Sequence, residues 1–289
     1  MFRTPTPTKI ISIDNEARKI KTFYLLNKKV AENASPGNFV LAWVPFPADN
    51  NIKRSTNLEP LDQIPISIAS IDPNKGIFGI TVKDIGPTTS EMHKYQKGAY
   101  LGIIGPLGNS FSFAGNTCIL VGGGIGVAPL HYLANVLASK GKKLFGFIGF
   151  RTKSEMLFAR RIGELCDKFV ITTDNGSYGI QGLITDPFEN FLRKHKNQFL
   201  KNRSDVFVYC CGPELMMKEV LSICEGYGFH AEFSLERYIH CGIGICGFCS
   251  VNGYRVCKDG PIFSVEQLKN IRDFGVFRRK DSGKRESVV

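Results

Sequence analysis

The spacing of hydrophobic and polar positions changes after about residue 113. Before it, short apolar segments alternate with turn residues, as in GNFVLAWVPF, IPISIAS, GIFGITVKD and GAYLGIIGPLG. Short strands separated by glycine and proline predict a small antiparallel barrel. From about residue 117, strand-like segments such as CILVGG, LFGFIGF and DVFVYCC alternate with longer helix-like segments such as APLHYLANVLASKG. This alternation predicts a parallel sheet with helices on both faces.

The two patterns predict an all-β part followed by an α/β part. We expect a β-barrel domain over residues 1–113, a Rossmann-like α/β domain over 114–235, a small cysteine-rich module over 236–264 and a basic tail over 265–289. A chain of 289 residues can form two domains with hydrophobic cores plus a small appendage. The polar, turn-rich segment 47–62 is expected to be a surface loop.

The formal net charge of +11 is spread along the chain, apart from FRRKDSGKR near the C-terminus. No lysine or arginine run alternates with aromatic residues, so we expect no nucleic-acid partner. The N-terminal sequence lacks the apolar core of a signal peptide, and no run of about 18 apolar residues predicts a membrane span. We therefore expect a cytoplasmic protein, whose thiols stay reduced.

Four of the nine cysteines lie close together in HCGIGICGFCSVNGYRVCKDG, as Cys241, Cys246, Cys249 and Cys257. A disulfide knot, a structural zinc site or an iron–sulfur cluster could explain them. A reducing compartment argues against disulfides. Zinc sites more often use two C-x2-C pairs, and only Cys246 and Cys249 form one here. A gap of four, then two, then a longer one is the plant-type [2Fe–2S] spacing, so the residues favour the cluster and leave zinc open.

A glycine-rich turn, LVGGGIGVAP, follows the first strand of the α/β part. Glycine lets a backbone turn sharply and approach a pyrophosphate, and the amides at the start of the next helix would face that anion. The spacing departs from G-x-G-x-x-G because Val127 stands at the last glycine position. A tight structural turn is the alternative. The candidate nucleotide-binding residues are Gly122, Gly123, Gly124 and Gly126.

Two further turns follow strands of the same predicted sheet, TTDNGSYGIQG and CCGPELM. Open α/β sheets bind ligands at the carboxyl ends of their strands. Asp174 could accept a hydrogen bond from an adenosine ribose and would repel a 2′-phosphate, which favours NADH over NADPH. The alternative for Asp174 is an ordinary turn residue before Asn175 and Gly176.

Nearly the whole chain, to about residue 263, resembles the electron-transfer subunits of class B dihydroorotate dehydrogenase, in the ferredoxin-reductase superfamily. The resemblance lies in the motifs GPLGNSF, GGGIGVAP, TDNGSYGIQG, CGPELM, SLERYIHCGIGICGFC and VCKDGPIF. It implies an FAD-binding barrel, an NAD-binding domain and a C-terminal [2Fe–2S] module. It further implies that electrons enter from NADH, reach FAD, pass singly through the cluster and exchange with FMN in a separate catalytic subunit that oxidises dihydroorotate for pyrimidine biosynthesis. A heterotetramer is expected.

The resemblance also implies roles for particular residues. Cys211, followed by Gly212 and Pro213, would lie at the hydride-transfer site near the nicotinamide; a buried structural thiol is the alternative. The four clustered cysteines would hold the [2Fe–2S] cluster. The segment that lines the flavin would include Pro65, Ile66 and Ser67, and the turn near its pyrophosphate would include Gly86, Thr88 and Thr89.

The flavin segment departs from the family pattern. Relatives usually carry an arginine before the Pro-x-Ser segment, where this chain has Gln63 and Ile64. Neither can replace a guanidinium that grips phosphate in a bidentate manner. The departure either weakens FAD binding or moves the positive charge to Lys53, Arg54 or Lys83.

Other hypotheses stay open on the sequence. A diaphorase subunit of a hydrogenase, or of a ferredoxin:NAD(P) oxidoreductase, would share every cofactor motif, although Lys258 in VCKDGPIF favours the dihydroorotate enzyme. A non-enzymatic zinc-binding protein is the distant alternative. His131 and His240 are expected to be structural. The remaining cysteines are expected to be small core residues, namely Cys118, Cys166, Cys210 and Cys224.

Overall fold

The N-terminal strands close into a barrel. This computed structural model describes residues 6–45, 62–280 and 283–288. The elements of this part are β1 (Thr6–Ala17), β2 (Ile20–Leu26), α1 (Lys28–Asn33), β3 (Phe39–Trp43), β4 (Ile64–Asp72), β5 (Ile77–Lys83), α2 (Pro87–Met92) and β6 (Tyr100–Leu107). The barrel order is β1-β2-β5-β4-β3-β6, with antiparallel neighbours. Its interior holds fully buried side chains such as Phe23 and Phe78, so it is a packed core.

The second part is a parallel sheet flanked by helices. Its elements are β7 (Thr117–Gly123), α3 (Val127–Ser139), β8 (Lys143–Phe150), α4 (Ala159–Gly163), β9 (Lys168–Thr173), β10 (Ile180–Gln181), α5 (Thr185–Lys194), α6 (Lys196–Lys201), β11 (Val206–Cys211), α7 (Glu214–Tyr227) and β12 (His230–Ser234). Leu130, Leu133 and Leu137 are fully buried on α3. The apolar side of this helix therefore faces the core, as its spacing predicts.

The C-terminal part begins after β12. Its elements are β13 (Ser250–Val251), β14 (Tyr254–Arg255), α8 (Val256–Asp259), β15 (Ile262–Ser264), α9 (Val265–Leu268), β16 (Phe277–Arg279) and β17 (Arg285–Ser287). The segment predicted as a basic tail thus includes α9 and a hairpin, β16–β17. Asp273 attaches it to the cysteine-rich module, because its amide donates to Asn252 Oδ1 at 2.9 Å.

The order of the large sheet is β10-β9-β8-β7-β11-β12-β15, and only the β12–β15 pairing is antiparallel among these described strands. Chain order reverses between β7 and β11, and such a switch point opens a crevice at the carboxyl ends of the strands. The glycine turn after β7 and the Cys-Gly-Pro turn after β11 both lie there. The predicted fold class, an antiparallel barrel followed by a Rossmann-like α/β sheet, is confirmed.

The three parts are joined by specific contacts. Asn109, in the GPLGNSF motif, exchanges hydrogen bonds with Ile262 in both directions at 2.9 Å, and its amide donates to Gly260 O at 2.7 Å. His131 on α3 hydrogen-bonds through Nδ1 to Ala69 O on β4 at 2.9 Å. These contacts fix the barrel against both the sheet and the cysteine-rich module. No helix within the described residues is long and apolar enough to cross a bilayer.

Candidate functional site

The four clustered cysteines lie in the loop after β12 and at the α8 turn. Backbone amides of this region point at their sulfurs. The amide of Gly244 donates to Cys257 Sγ at 3.1 Å, that of Cys246 to Cys241 Sγ at 3.5 Å, and that of Cys257 to Cys249 Sγ at 3.5 Å. Amide hydrogen bonds to sulfur stabilise thiolate and tune the potential of an iron–sulfur cluster.

Glycine makes this amide arrangement possible. Gly242, Gly244 and Gly247 have φ of +67°, +79° and +71°, in the left-handed region that side chains with a Cβ rarely adopt. The space is also closed at two of these positions. A Cβ on Gly242 would lie 2.8 Å from Leu107 Cδ1, and one on Gly244 would lie 2.7 Å from Lys258 Cδ. The loop therefore needs glycine for its backbone angles and, at two positions, for its packing.

The environment of the sulfurs favours thiolate. Burial alone would raise the pKa of Cys241, but hydrogen bonds from Cys246 and from neighbouring loop amides lower that pKa to about 6. The Cys257 thiol donates to Cys249, which lowers the pKa of Cys249 to about 6 and raises that of Cys257. Thiolate is the form of cysteine that binds metal ions. The loop thus favours thiolate near neutral pH at Cys241 and Cys249.

Side-chain hydrogen bonds join Cys241 with Cys246 and Cys249 with Cys257, and Cys241 also lies close enough to Cys257 to raise its pKa. Each iron of a [2Fe–2S] cluster takes two protein ligands, whereas a structural zinc gathers four around one ion. Within the described ranges, no three His, Cys, Asp or Glu side chains are placed to hold one metal ion. The pairing of Cys241 with Cys246 and of Cys249 with Cys257 matches the two protein ligands that each iron of a two-iron cluster takes.

The four glycines of the turn after β7 have different surroundings. Gly124, with φ +53°, faces space in which an added Cβ would meet nothing within 4 Å. A Cβ on Gly126 would instead lie 2.7 Å from backbone atoms of Cys211 and Gly212, and one on Gly123 would lie 2.8 Å from Pro213. Gly122 packs against Leu130. Only Gly124 of this group has the open face that we expected for pyrophosphate, and the other three allow close packing.

Asp174 lies at the same edge of the sheet, directly after β9. Its residue is exposed, and its amide donates to Phe150 O at the end of β8 at 3.0 Å. Thr173 holds the loop that follows, because its Oγ1 donates to Tyr178 O at 2.7 Å. The carboxylate of Asp174 is thus available to a ligand at the carboxyl ends of the strands.

Cys211 ends β11 beside the glycine turn. The residue is 9% exposed, and burial raises the pKa of its thiol to about 12, against an opposing hydrogen bond with Ser234. The thiol is therefore neutral at physiological pH. The turn formed by Cys211, Gly212 and Pro213 packs directly against Gly123 and Gly126, so the structure brings these two predicted motifs together.

The predicted flavin segment is the start of β4. Pro65, Ile66 and Ser67 are half-buried and pair with Leu41, Val40 and Phe39 of β3. They therefore have backbone positions fixed by the barrel while keeping partly open faces.

The turn before α2 is stabilised by hydrogen bonds of its own threonine side chains. Thr89 Oγ1 accepts the amides of Ile85 and Gly86 at 3.0 and 2.9 Å, and Thr88 Oγ1 donates to Asp62 O at 3.0 Å. Both threonine hydroxyls thus have partners within the protein. A Cβ on Gly86 would meet nothing within 4 Å, so this glycine offers the open backbone of the turn.

Of the three cations named as replacements for the family arginine, Lys83 is the one within the described residues. Lys83 Nζ is paired with Glu155 Oε2 at 3.0 Å, which leaves it poorly placed to meet a phosphate. Lys53 and Arg54 lie outside the described residues, as does most of the predicted surface loop 47–62. Gln63 itself donates from Nε2 to the carbonyl oxygen of His240 at 2.6 Å.

Sequence reasoning missed one buried ion pair near the site. Arg237, four positions before the first clustered cysteine, pairs with Glu214 at the start of α7, and their side chains are 5% and 9% exposed. Burial raises the pKa of Glu214, and the Arg237 charge lowers it part of the way back. The two residues lie far apart in the chain, so no periodic pattern in the sequence indicates that they pair. Only their neighbouring residues, in LER and CGPE, could have suggested the pair.

The other cysteines follow the prediction with one exception. Cys118, Cys210 and Cys224 are fully buried core residues. Cys166 is half-buried and packs against the core as expected, but it lies in the segment after α4 and not in a helix. The residues ELC that end with Cys166 are compatible with a continued helix, but α4 ends at Gly163.

A closed barrel, a Rossmann-like sheet and a paired-cysteine loop at their junction define an oxidoreductase of the ferredoxin-reductase class. Solved structures support this assignment. An NADH-dependent reduced ferredoxin-NADP oxidoreductase, studied for flavin-based electron bifurcation, superimposes with a TM-score of 0.73 at 29% identity and covers 92% of this chain and 91% of its own. A ferredoxin reductase in carbazole 1,9a-dioxygenase shares the fold, with a TM-score of 0.59, 18% identity and coverage of 78% and 66%.

Sequence comparison is more specific. Residues 236–269 match the iron–sulfur cluster binding domain of dihydroorotate dehydrogenase B. A probable dihydroorotate dehydrogenase B (NAD(+)) electron transfer subunit from Methanothermobacter thermautotrophicus is 33% identical over 98% of both chains. Its counterpart from Pyrococcus furiosus is 37% identical over 93% of both. The chain belongs to the family of dihydroorotate dehydrogenase B electron transfer subunits, which confirms the resemblance found in the motifs.

Proposed function

We propose that this chain is the electron-transfer subunit of an NAD-dependent dihydroorotate dehydrogenase. The observation that carries the proposal is the loop with two pairs of cysteines, lined by amides, at the junction of the barrel and the nucleotide-type sheet. NAD, FAD and a [2Fe–2S] cluster would together convert hydride transfer into single-electron transfer, since a flavin accepts electrons in pairs and releases them singly. The protein's own work is binding, orientation and control of the electrostatic environment.

The residues divide this work by position. Gly124 and Asp174 would hold the pyrophosphate and ribose of NAD at the switch point of the sheet. Cys211, neutral and packed under the glycine turn, would shape the nicotinamide site together with Gly212 and Pro213. Ser67 and its neighbours on β4 would line the flavin, and the open backbone at Gly86 would face its pyrophosphate.

The cysteine-rich loop would hold the cluster on the side where Cys246 is exposed. An electron-transfer subunit needs a catalytic partner, and an FMN-containing subunit that oxidises dihydroorotate is the partner that this family implies, in a heterotetramer of the pyrimidine pathway. All nine cysteines are unbridged, which supports a reducing cytoplasm as the location.

A second candidate is a subunit of an NADH-dependent ferredoxin:NADP oxidoreductase. It is favoured by the solved structure of that name, which covers 92% of this chain at 29% identity. The two functions differ in the one-electron partner, which is an FMN-bearing subunit in the first and ferredoxin in the second. They would share the NAD turn, the flavin segment and the cluster loop.

Reconstitution with each partner separates the two candidates. The purified chain would be mixed with the FMN-containing catalytic subunit, and NAD reduction by dihydroorotate would be followed by absorbance. We expect NAD reduction only when both chains are present. Ferredoxin-dependent turnover without any coupling to dihydroorotate would instead establish the second candidate. A colourless chain with stoichiometric zinc would exclude both.

A further inference from the structure

Gln63 connects two parts of the molecule that the sequence keeps far apart. Its Nε2 donates to His240 O at 2.6 Å across 177 positions of the chain. Gln63 stands one residue before β4, whose first residues form the predicted flavin segment. His240 stands directly before Cys241, the first cysteine of the loop. One side-chain hydrogen bond therefore joins the flavin-facing strand to the cluster loop.

The His240 end of this contact is itself fixed to the loop. The His240 ring packs edge-on against Phe248, with centroids 4.1 Å apart and an interplanar angle of 79°. Phe248 lies between Cys246 and Cys249, so a movement of His240 would be transmitted to both cysteine pairs. His240 Nε2 is buried and has no hydrogen-bond partner among the residues that the structure describes. The ring thus packs on Phe248, and the backbone carbonyl is held by Gln63.

The barrel also contacts the same loop at a second point, Gly242. A Cβ on Gly242 would lie 2.8 Å from Leu107 Cδ1 and 3.0 Å from Leu41 Cδ1, both barrel residues. The loop thus rests on the barrel wall through Gly242 and is tied to it by Gln63. Apolar contact can slide, whereas a hydrogen bond of this length has a defined direction.

We propose that Gln63 is a positioning residue that ties the cluster loop to the flavin-facing strand and so fixes the spacing between the two cofactors. The inference rests on the proposed function. The glutamine amide supplies a donor to the His240 carbonyl and adds no charge. Gln63 thus holds another part of the protein through its side chain.

The test compares Gln63→Ala and Gln63→Glu with a matched control, Gln96→Ala, an exposed glutamine elsewhere on the barrel side of the chain. Gln63→Glu keeps the shape of the side chain and removes the donor. In the loaded protein, hydrogen exchange of the amides of residues 240–249 should accelerate about tenfold in both Gln63 variants, the change that loss of one hydrogen bond produces. The control should not change.

Rapid mixing with NADH supplies the second measurement. Flavin reduction should keep its wild-type rate in both variants, and the following reduction of the cluster should slow severalfold. Unchanged loop exchange in both variants would overturn the inference, and so would loss of FAD with unchanged loop exchange, which would make Gln63 a flavin ligand. If wild-type protein shows no reduction of its cluster by NADH, the proposed function fails, while loop exchange still decides whether Gln63 holds the loop.

Discussion

The cluster loop shows how single residues prepare a metal site. A cysteine thiol becomes a ligand only when its proton leaves, and in this loop backbone amides stabilise the charge that remains. Glycines at left-handed φ values aim those amides at the sulfurs. The predicted ligands all lie within a short stretch of the chain, and this is why their spacing alone favoured a cluster and left zinc open.

Replacing one cysteine of the loop should remove the cluster. In Cys246→Ser, the hydroxyl stays protonated near neutral pH and is a poor ligand for iron. We expect iron and sulfide to fall from about two of each per chain to near zero. Cys166→Ser is the matched control, since Cys166 is a half-buried cysteine outside the loop. Full iron content in Cys246→Ser would contradict the ligand assignment.

Cys211 should behave as a neutral thiol. Burial raises the pKa of Cys211 to about 12. The neutral thiol therefore contributes its full stabilisation below the ordinary thiol pKa, and this stabilisation is lost as the pH rises towards 12. Alkylating reagents attack thiolate, and iodoacetamide at pH about 8 should leave Cys211 of the native protein unlabelled. Mass spectrometry of native and unfolded samples measures this. Rapid labelling of Cys211 in the native protein would show that the thiol is ionised.

At the residue scale, the sequence indicated sites whose residues are neighbours in the chain, and it did not indicate contacts between residues far apart in the chain. The cysteine spacing and the Gly124 turn could be found because their partners are adjacent in the chain. The partners of Gln63 and Arg237 lie on other elements, and no local pattern specifies them. Nothing in the sequence indicated that a second turn packs against Gly126.

Among the elements, the two turns at the switch point depend on each other. β7 and β11 are adjacent parallel strands, with Gly122 opposite Cys211, so their turns emerge side by side. A side chain on Gly126 would meet the backbone of the next turn, which cannot rotate away as a side chain can. The close approach therefore sets the shape of the predicted nicotinamide site.

Gly126→Ala should destabilise the protein and weaken NADH binding. Its Cβ would lie 2.7 Å from the Cys211 carbonyl group, and overpacking of this kind costs about 1–3 kcal/mol. Gly226→Ala is the matched control on α7, where an added Cβ meets nothing within 4 Å and should stabilise the helix by about 0.5–1 kcal/mol. Thermal unfolding midpoints and NADH titrations give both results. Equal behaviour of the two variants would contradict the packed-turn interpretation.

The ion pair between Arg237 and Glu214 fixes α7 to the segment that enters the cluster loop. Arg237→Ala would leave a buried carboxylate without its cation, a change that costs roughly 3–5 kcal/mol. A double variant, Arg237→Met with Glu214→Gln, removes both charges and should recover much of the loss. The measurement is the thermal unfolding midpoint at a fixed scan rate. A single variant as stable as the wild type would show that the pair does not hold the two elements together.

Across the whole molecule, the sequence was sufficient for the architecture because each part has its own periodicity. Alternating short strands close a barrel, and strand–helix alternation forms a parallel sheet. The joints between the parts could not be predicted. Asn109, His131 and Gln63 each bridge different parts through a few hydrogen bonds, and such contacts depend on how the folded parts dock.

These joints give the proposed electron path its geometry. The nicotinamide turns, the flavin-facing strand and the cluster loop belong to different parts of the chain, and the bridging contacts hold them in one arrangement. We therefore expect NADH to reduce a flavin and a cluster that are held by the same chain.

The visible absorption spectrum of anaerobically purified protein, recorded before and after addition of NADH, tests this claim most directly. We predict flavin and cluster bands that both bleach when NADH is added. A cluster band without flavin would show that the chain, with Gln63 and Ile64 in place of the arginine, does not retain FAD by itself. A protein that stays colourless after anaerobic handling and reconstitution with iron and sulfide would contradict the electron-transfer function.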